Sequence, residues 1–82
     1  MLRNEEDVVT VYSKNNCPQC MMTKWWLDRH GVTFAEYNIE DEGNENLVDE
    51  IKGIGILRMP VVFKGNDKVA VGFQPQELGK IL

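Results

Sequence analysis

The feature that most constrains this chain is a junction. A β-branched and aromatic run, Val8 to Tyr12, is followed within a few residues by Cys17-Pro18-Gln19-Cys20. The run is apolar on both faces, which suits a central strand covered by helices on each side. Pro18 is pre-organised for the first turn of a helix, where its missing N–H costs nothing. The pattern therefore predicts a strand that ends just before the cysteines and a helix from Pro18 to His30, stopped by Gly31. Thr23, Trp26, Leu27 and His30 share the predicted buried stripe of that helix, with Met22 at its margin. Met21 and Trp25 fall outside the stripe, which leaves Trp25 exposed near the cysteines, either as a partner contact or half-buried under a loop.

The rest of the chain alternates between the two periodicities. Thr33 to Ile39 has Ala35, Tyr37 and Ile39 on one side and Glu36 and Asn38 on the other, as a half-buried strand requires. Strand, helix, strand in that order implies a parallel pair joined by a right-handed crossover. Asn44 is placed to cap a short helix whose Leu47, Val48 and Ile51 face inward and which Gly53 ends. Pro60 to Lys64 and Lys68 to Gly72 read as strands around a Gly65-Asn66-Asp67 turn. Pro75 opens a last helix carrying Leu78, Ile81 and Leu82. The order is βαβ followed by αββα, an α/β architecture of one four-stranded mixed sheet flanked by three helices.

Length limits this to one domain, 1–82, because 82 residues with 43% hydrophobic content supply a single core; residues 1–6 read as a flexible tail. No apolar run approaches the roughly 20 residues that span a bilayer, and Met1 to Asp7 is acidic rather than basic followed by apolar, so a soluble, cytoplasmic chain is expected. The net charge of −4, with no cluster of Lys and Arg, argues against nucleic acid or an anionic membrane as partner. The acids gather at Glu5 to Asp7 and Glu40 to Glu50, which read as solvated faces in preference to a partner-docking role. Nothing in the sequence demands more than a monomer.

The chemistry falls to the two cysteines. They are the only ones and lie three positions apart, which structural disulfides of a secreted mini-protein would not need. Half of a zinc site has the same spacing, but zinc needs about two more ligands; there is no second cysteine pair, and the single histidine lies ten residues on in the same predicted helix. At a helix N-terminus, unpaired N–H groups and the positive end of the dipole favour an anion, so Cys17 is expected to ionise readily and attack. Cys20, one turn deeper, is placed to resolve the mixed disulfide. The expected redox group is the Cys17–Cys20 disulfide itself, with no cofactor and no metal. Lys14 is the nearby cation, either supporting the thiolate or solvated. Met59-Pro60 is a candidate cis peptide opposite the dithiol, where the Met59 backbone would pair with an extended substrate; the alternative is a trans proline opening an edge strand. Gly72 allows close approach of another backbone, and Phe73 is either a partner anchor or core.

Tyr12-Ser13-Lys14-Asn15-Asn16-Cys17-Pro18-Gln19-Cys20, Met59-Pro60-Val61-Val62 and Gly72-Phe73-Gln74-Pro75 together resemble the glutaredoxin-like NrdH redoxins, over nearly the whole chain from Val8 onward. The resemblance implies a glutaredoxin-type thioredoxin-like fold. It implies an electron donor to class Ib ribonucleotide reductase, at its large subunit, that is re-reduced by thioredoxin reductase. Carried onto this sequence, it makes Cys17 the nucleophile, Cys20 the resolving thiol, Pro60 the cis proline, and Gly72, Phe73 and Pro75 the Gly-Phe-x-Pro turn. Pro18 and Gln19 mix the glutaredoxin-type Cys-Pro-x-Cys with the glutamine of the redoxins. Ala70-Val71 stands where the family usually has Trp-Ser, and Gln74 where it has Arg. Glutathione-dependent glutaredoxins carry Gly-Gly followed by an acid after the last strand; here no acid follows Gly72 until Glu77, so glutathione is expected to be a weak partner or none. A glutathione-dependent glutaredoxin is the alternative, and a non-catalytic metal-binding module a more distant one.

Overall fold

Strand β1 (Val9–Ser13) is buried at all five positions, as its two-sided apolar pattern requires. The computed structural model describes residues 7–82, so the tail expected over 1–6 lies outside the described residues. Helix α1 (Pro18–Arg29) follows, then β2 (Phe34–Asn38), α2 (Glu45–Gly53), β3 (Val61–Lys64), β4 (Asp67–Val71) and α3 (Pro75–Leu78), which runs into a 3₁₀ turn, Gly79–Ile81. The sheet order is β2-β1-β3-β4, with β1 parallel to β2 and antiparallel to β3. This is the four-stranded mixed sheet with three helices read from the sequence, and its topology is thioredoxin-like.

Alternation along the two central strands builds a core on each face. Val9 and Val11 of β1 and Val62 of β3 pack with Leu27 of α1, Ala70 of β4 and Leu78 of α3. Tyr12, Val61 and Phe63 point the other way, toward Ile51 of α2, Ile56 and Met59. Both cysteines belong to this second cluster, whereas Trp26 and Leu27, toward the end of α1, pack in the first.

Several local expectations need correction. His30 is exposed, because it is the C-cap rather than part of the last turn; its ring stacks on Trp26 at 3.8 Å between centroids. Gly31 does stop α1, at φ +69, with Val32 N–H reaching back to the Leu27 carbonyl. In α2 the same role belongs to Gly55 (φ +84) and not Gly53, which is the last helical residue; Ile56 N–H returns to the Ile51 carbonyl and both side chains enter the core. Asn44 occupies the N-cap of α2, yet its side chain makes no capping bond and donates instead to the Asn38 carbonyl at 2.7 Å. The β3–β4 turn is two residues, since Lys64 and Asp67 already pair. Leu82, placed on the last helix by the sequence, lies beyond it and is 67% exposed, because α3 is only four residues long and the tighter 3₁₀ turn ends at Ile81.

Candidate redox site

Strand β1 is followed by a short loop, with Asn16 at φ +54, that delivers Cys17 to the N-cap of α1 in an extended conformation, φ −120 and ψ +95. Pro18 opens the helix. The Cys17 Sγ accepts the backbone N–H of Cys20 at 3.2 Å, so the sulfur itself satisfies one of the unpaired donors of the first turn. Cys17 and Cys20 are joined in a disulfide with their Cα atoms 5.2 Å apart. Both are buried, Cys17 at 7% exposure and Cys20 at 2%. Pro18 and Gln19 between them are exposed, while the cysteines pack with Tyr12, Ile51, Ile56 and Met59.

The Met59-Pro60 peptide is cis, as expected. The Met59 carbonyl oxygen lies 3.9 Å from Cys17 Sγ. In the disulfide that sulfur carries no proton, so this is a packing contact; a Cys17 thiol would be a donor there. Behind it, Gly72 N–H donates to the Pro60 carbonyl at 2.8 Å, which ties the turn after β4 to the cis proline. Gly72 has φ +80, and a Cβ at this position would lie 3.0 Å from Gln19 Oε1 and 3.8 Å from Arg58 Nη2. The close approach expected at Gly72 is thus to two side chains.

Three carboxamide and guanidinium groups furnish the turn. Gln19 Oε1 accepts Phe73 N–H at 3.0 Å across 54 residues of chain. Gln74 Oε1 accepts Val71 N–H at 3.0 Å, so the turn carries a side-chain bond of its own where the family usually has Arg. Arg58, directly before Met59, was not singled out from the sequence; its position one residue ahead of Met59-Pro60 is the signal that would have found it. Phe73 is half-buried and packs against the cluster of Val9, Val11 and Leu27, so its ring belongs to the core on the side away from the dithiol. Trp25 is 57% exposed, with the Arg29 guanidinium 5.2 Å from its ring centroid. Met21 and Leu57 are also exposed. Lys14 is exposed in the loop ahead of the dithiol; that loop is joined to the β2 end by Asn15 N–H donating to Glu40 Oε1 at 2.6 Å and by Asn38 Nδ2 donating to Asn15 Oδ1 at 2.9 Å. Among the described residues no three of His, Cys, Asp and Glu cluster as a metal site would require, and no helix is long and apolar enough to cross a membrane.

A disulfide that spans the N-cap and first turn of a helix, faces a cis proline and sits on this sheet defines a thioredoxin-like dithiol/disulfide redox protein. The family model for glutaredoxin matches residues 9–69, and the glutaredoxin-like protein NrdH of Lactococcus lactis subsp. cremoris is 43% identical over 90% of this chain and 99% of its own length. The chain belongs to the glutaredoxin family, as an NrdH-type glutaredoxin-like protein. Two solved structures agree. The NrdH-redoxin of Escherichia coli superposes with a TM-score of 0.82 at 26% identity, over 90% of this chain and 93% of that one. A glutaredoxin of Archaeoglobus fulgidus gives 0.75 at 28% identity, over 89% and 83%.

Proposed function

We propose that the protein is a cytoplasmic, monomeric dithiol donor that reduces a disulfide in the large subunit of class Ib ribonucleotide reductase and is itself re-reduced by thioredoxin reductase. The observation that carries this reading is the Cys17–Cys20 disulfide at the head of α1 in a chain 43% identical to an NrdH protein nearly end to end. The E. coli NrdH-redoxin is described as glutaredoxin-like with a thioredoxin-like activity profile, which supports a flavoprotein rather than glutathione as the source of electrons. The lack of an acid between Gly72 and Glu77 supports the same choice.

In this cycle Cys17, reduced and ionised, attacks one sulfur of the substrate disulfide; a mixed disulfide forms and the other substrate sulfur leaves as a thiolate that takes a proton. Cys20, the more deeply buried of the two, then attacks Cys17 Sγ. The substrate's second sulfur departs, two electrons have passed to it, and Cys17–Cys20 is oxidised. Pro18 and Gln19 hold the start of the helix on which the thiolate depends, and Lys14 contributes a positive charge ahead of it. Met59, Pro60, Gly72 and the backbone of Phe73, whose ring is turned into the opposite core, line the approach on the cis-proline side, and Trp25 the approach along α1.

Glutathione-dependent turnover is the second reading, favoured by the likeness to the A. fulgidus glutaredoxin. NADPH oxidation separates the two. The protein is expected to turn over with bacterial thioredoxin reductase and to support class Ib ribonucleotide reduction, with little turnover through glutathione and glutathione reductase. Cys20→Ser is expected to accumulate the mixed disulfide with the reductase subunit, detectable by mass. Turnover with glutathione and none with thioredoxin reductase would reverse the assignment.

A further inference from the structure

The turn after β4 presents three successive backbone N–H groups, and each already has an acceptor inside the protein: Val71 on Gln74 Oε1 at 3.0 Å, Gly72 on the Pro60 carbonyl at 2.8 Å, and Phe73 on Gln19 Oε1 at 3.0 Å. The last is the unusual one. It joins an exposed residue to a half-buried one far apart in sequence, and its acceptor comes from one of the two residues between the redox cysteines. Gln19 Oε1 and the Arg58 guanidinium also lie within 4 Å of the same point above Gly72, at 3.0 Å for Oε1 and 3.8 Å for Nη2. A backbone N–H beside an exposed guanidinium is the donor set that recognises a carboxylate. Here a neutral carboxamide oxygen takes the N–H.

We propose that Gln19 is a specificity-determining residue: its side-chain oxygen occupies the place on Phe73 N–H, beside Arg58, that the carboxylate of a small anionic thiol such as glutathione would need. The inference rests on the preceding reading, in which glutathione is not the electron source. A ligand carboxylate entering this turn must first displace Gln19 and so exchanges one hydrogen bond for another, with little net gain. A protein partner that engages the backbone along the cis-proline side has no such bond to break. Without the carboxamide, glutathione would be held long enough to complete the exchange. One glutathione thiolate breaks the Cys17–Cys20 bond and expels the Cys20 thiolate, which is protonated; a second removes the first from Cys17, so two electrons enter the protein and oxidised glutathione leaves.

The test uses S-methylglutathione, which carries both carboxylates and no free thiol, titrated into ¹⁵N-labelled protein in its disulfide form. In Gln19→Ala the Phe73 amide resonance is expected to shift saturably, with affinity about tenfold above the wild type, a difference of about 1.4 kcal/mol. Gln19→Glu keeps an acceptor on Phe73 N–H and is expected to show no gain, and Gln19→Ala combined with Arg58→Met is expected to lose it. Melting curves confirm that each variant is folded. Binding to Gln19→Ala no tighter than to the wild type overturns the proposal, as does a gain undiminished when Arg58 is also replaced. These binding results stand apart from the reductase assay: a wild type driven by glutathione reductase alone would reject the earlier reading whatever the titration gives.

Discussion

Gly72 is the residue on which the dithiol's far wall closes. Its φ of +80 is one that a side chain adopts at a cost, and a Cβ there meets Gln19 Oε1 at 3.0 Å. Gly72→Ala is therefore expected to lose about 1–2 kcal/mol to backbone strain, read as a lower urea midpoint. The flexible end of Gln19 is expected to move aside at little further cost, so the Phe73 amide exchanges with solvent faster in this variant. The two cysteines and the cis Pro60 were legible from the sequence because each is marked by its immediate neighbours: Pro18 fixes a helix start, and a strand-opening X-Pro faces it. The carboxamides were not legible. A hydrogen bond from Phe73 to Gln19 joins residues 54 positions apart, and no local pattern encodes it. The burial of Cys17 was not legible for a related reason, since Ile51, Ile56 and Met59 reach it from another part of the chain.

Among the elements, β1, α1 and β2 are tied by one carboxylate. Glu36 of β2 accepts the Ser13 hydroxyl at 2.8 Å and the Lys24 ammonium at 2.8 Å. The hydrogen bond from Lys24 is the main cause that holds the Glu36 carboxyl below the usual carboxylate range, helped by Ser13 and by the Lys24 charge against the opposing effect of burial. Because the unfolded chain titrates at the ordinary value, the contribution of Glu36 to stability is fully present above that value and is lost as pH falls through the lower folded one. Solvent reaches both side chains, so the effect is modest. The gap in Tm between wild type and Glu36→Gln is expected to narrow as the solution is acidified through the carboxylate range, and salt is expected to narrow it at neutral pH. Element order and type were legible here because period-2 and period-3.6 patterns alternate cleanly from Val8 to Leu78. The ends were less so. Two glycines two residues apart, Gly53 and Gly55, offer the same stop signal to α2, and only the return of Ile56 to the core selects the second.

At the scale of the whole molecule, the sheet divides the interior into two clusters, and only one contains the dithiol. Ile51→Ala and Leu78→Ala each remove a fully buried side chain and are expected to cost about 2–5 kcal/mol. Their effects on chemistry are expected to differ. Ile51 shares a cluster with Cys17, so its truncation should speed iodoacetamide alkylation of Cys17 in the reduced protein; Leu78 lies across the sheet and should leave that rate unchanged. Equal acceleration in both would mean that accessibility follows global stability and not the local cavity. The topology that makes this division was readable in advance, since a two-sided β1 must lie between layers. Which cluster would hold the cysteines was not, because Cys17 and Cys20 at the head of α1 and Leu27 near its end belong to different ones. Cys17 is at once the end-stop of that helix and the atom through which electrons pass. A thermodynamic cycle links the two duties. Whatever free energy the helix start gives to an anionic sulfur over a bonded one also deepens the reduced state, so a firmer grip on the thiolate makes a weaker reductant, and a quicker nucleophile only until the thiol's pKa falls to the ambient pH.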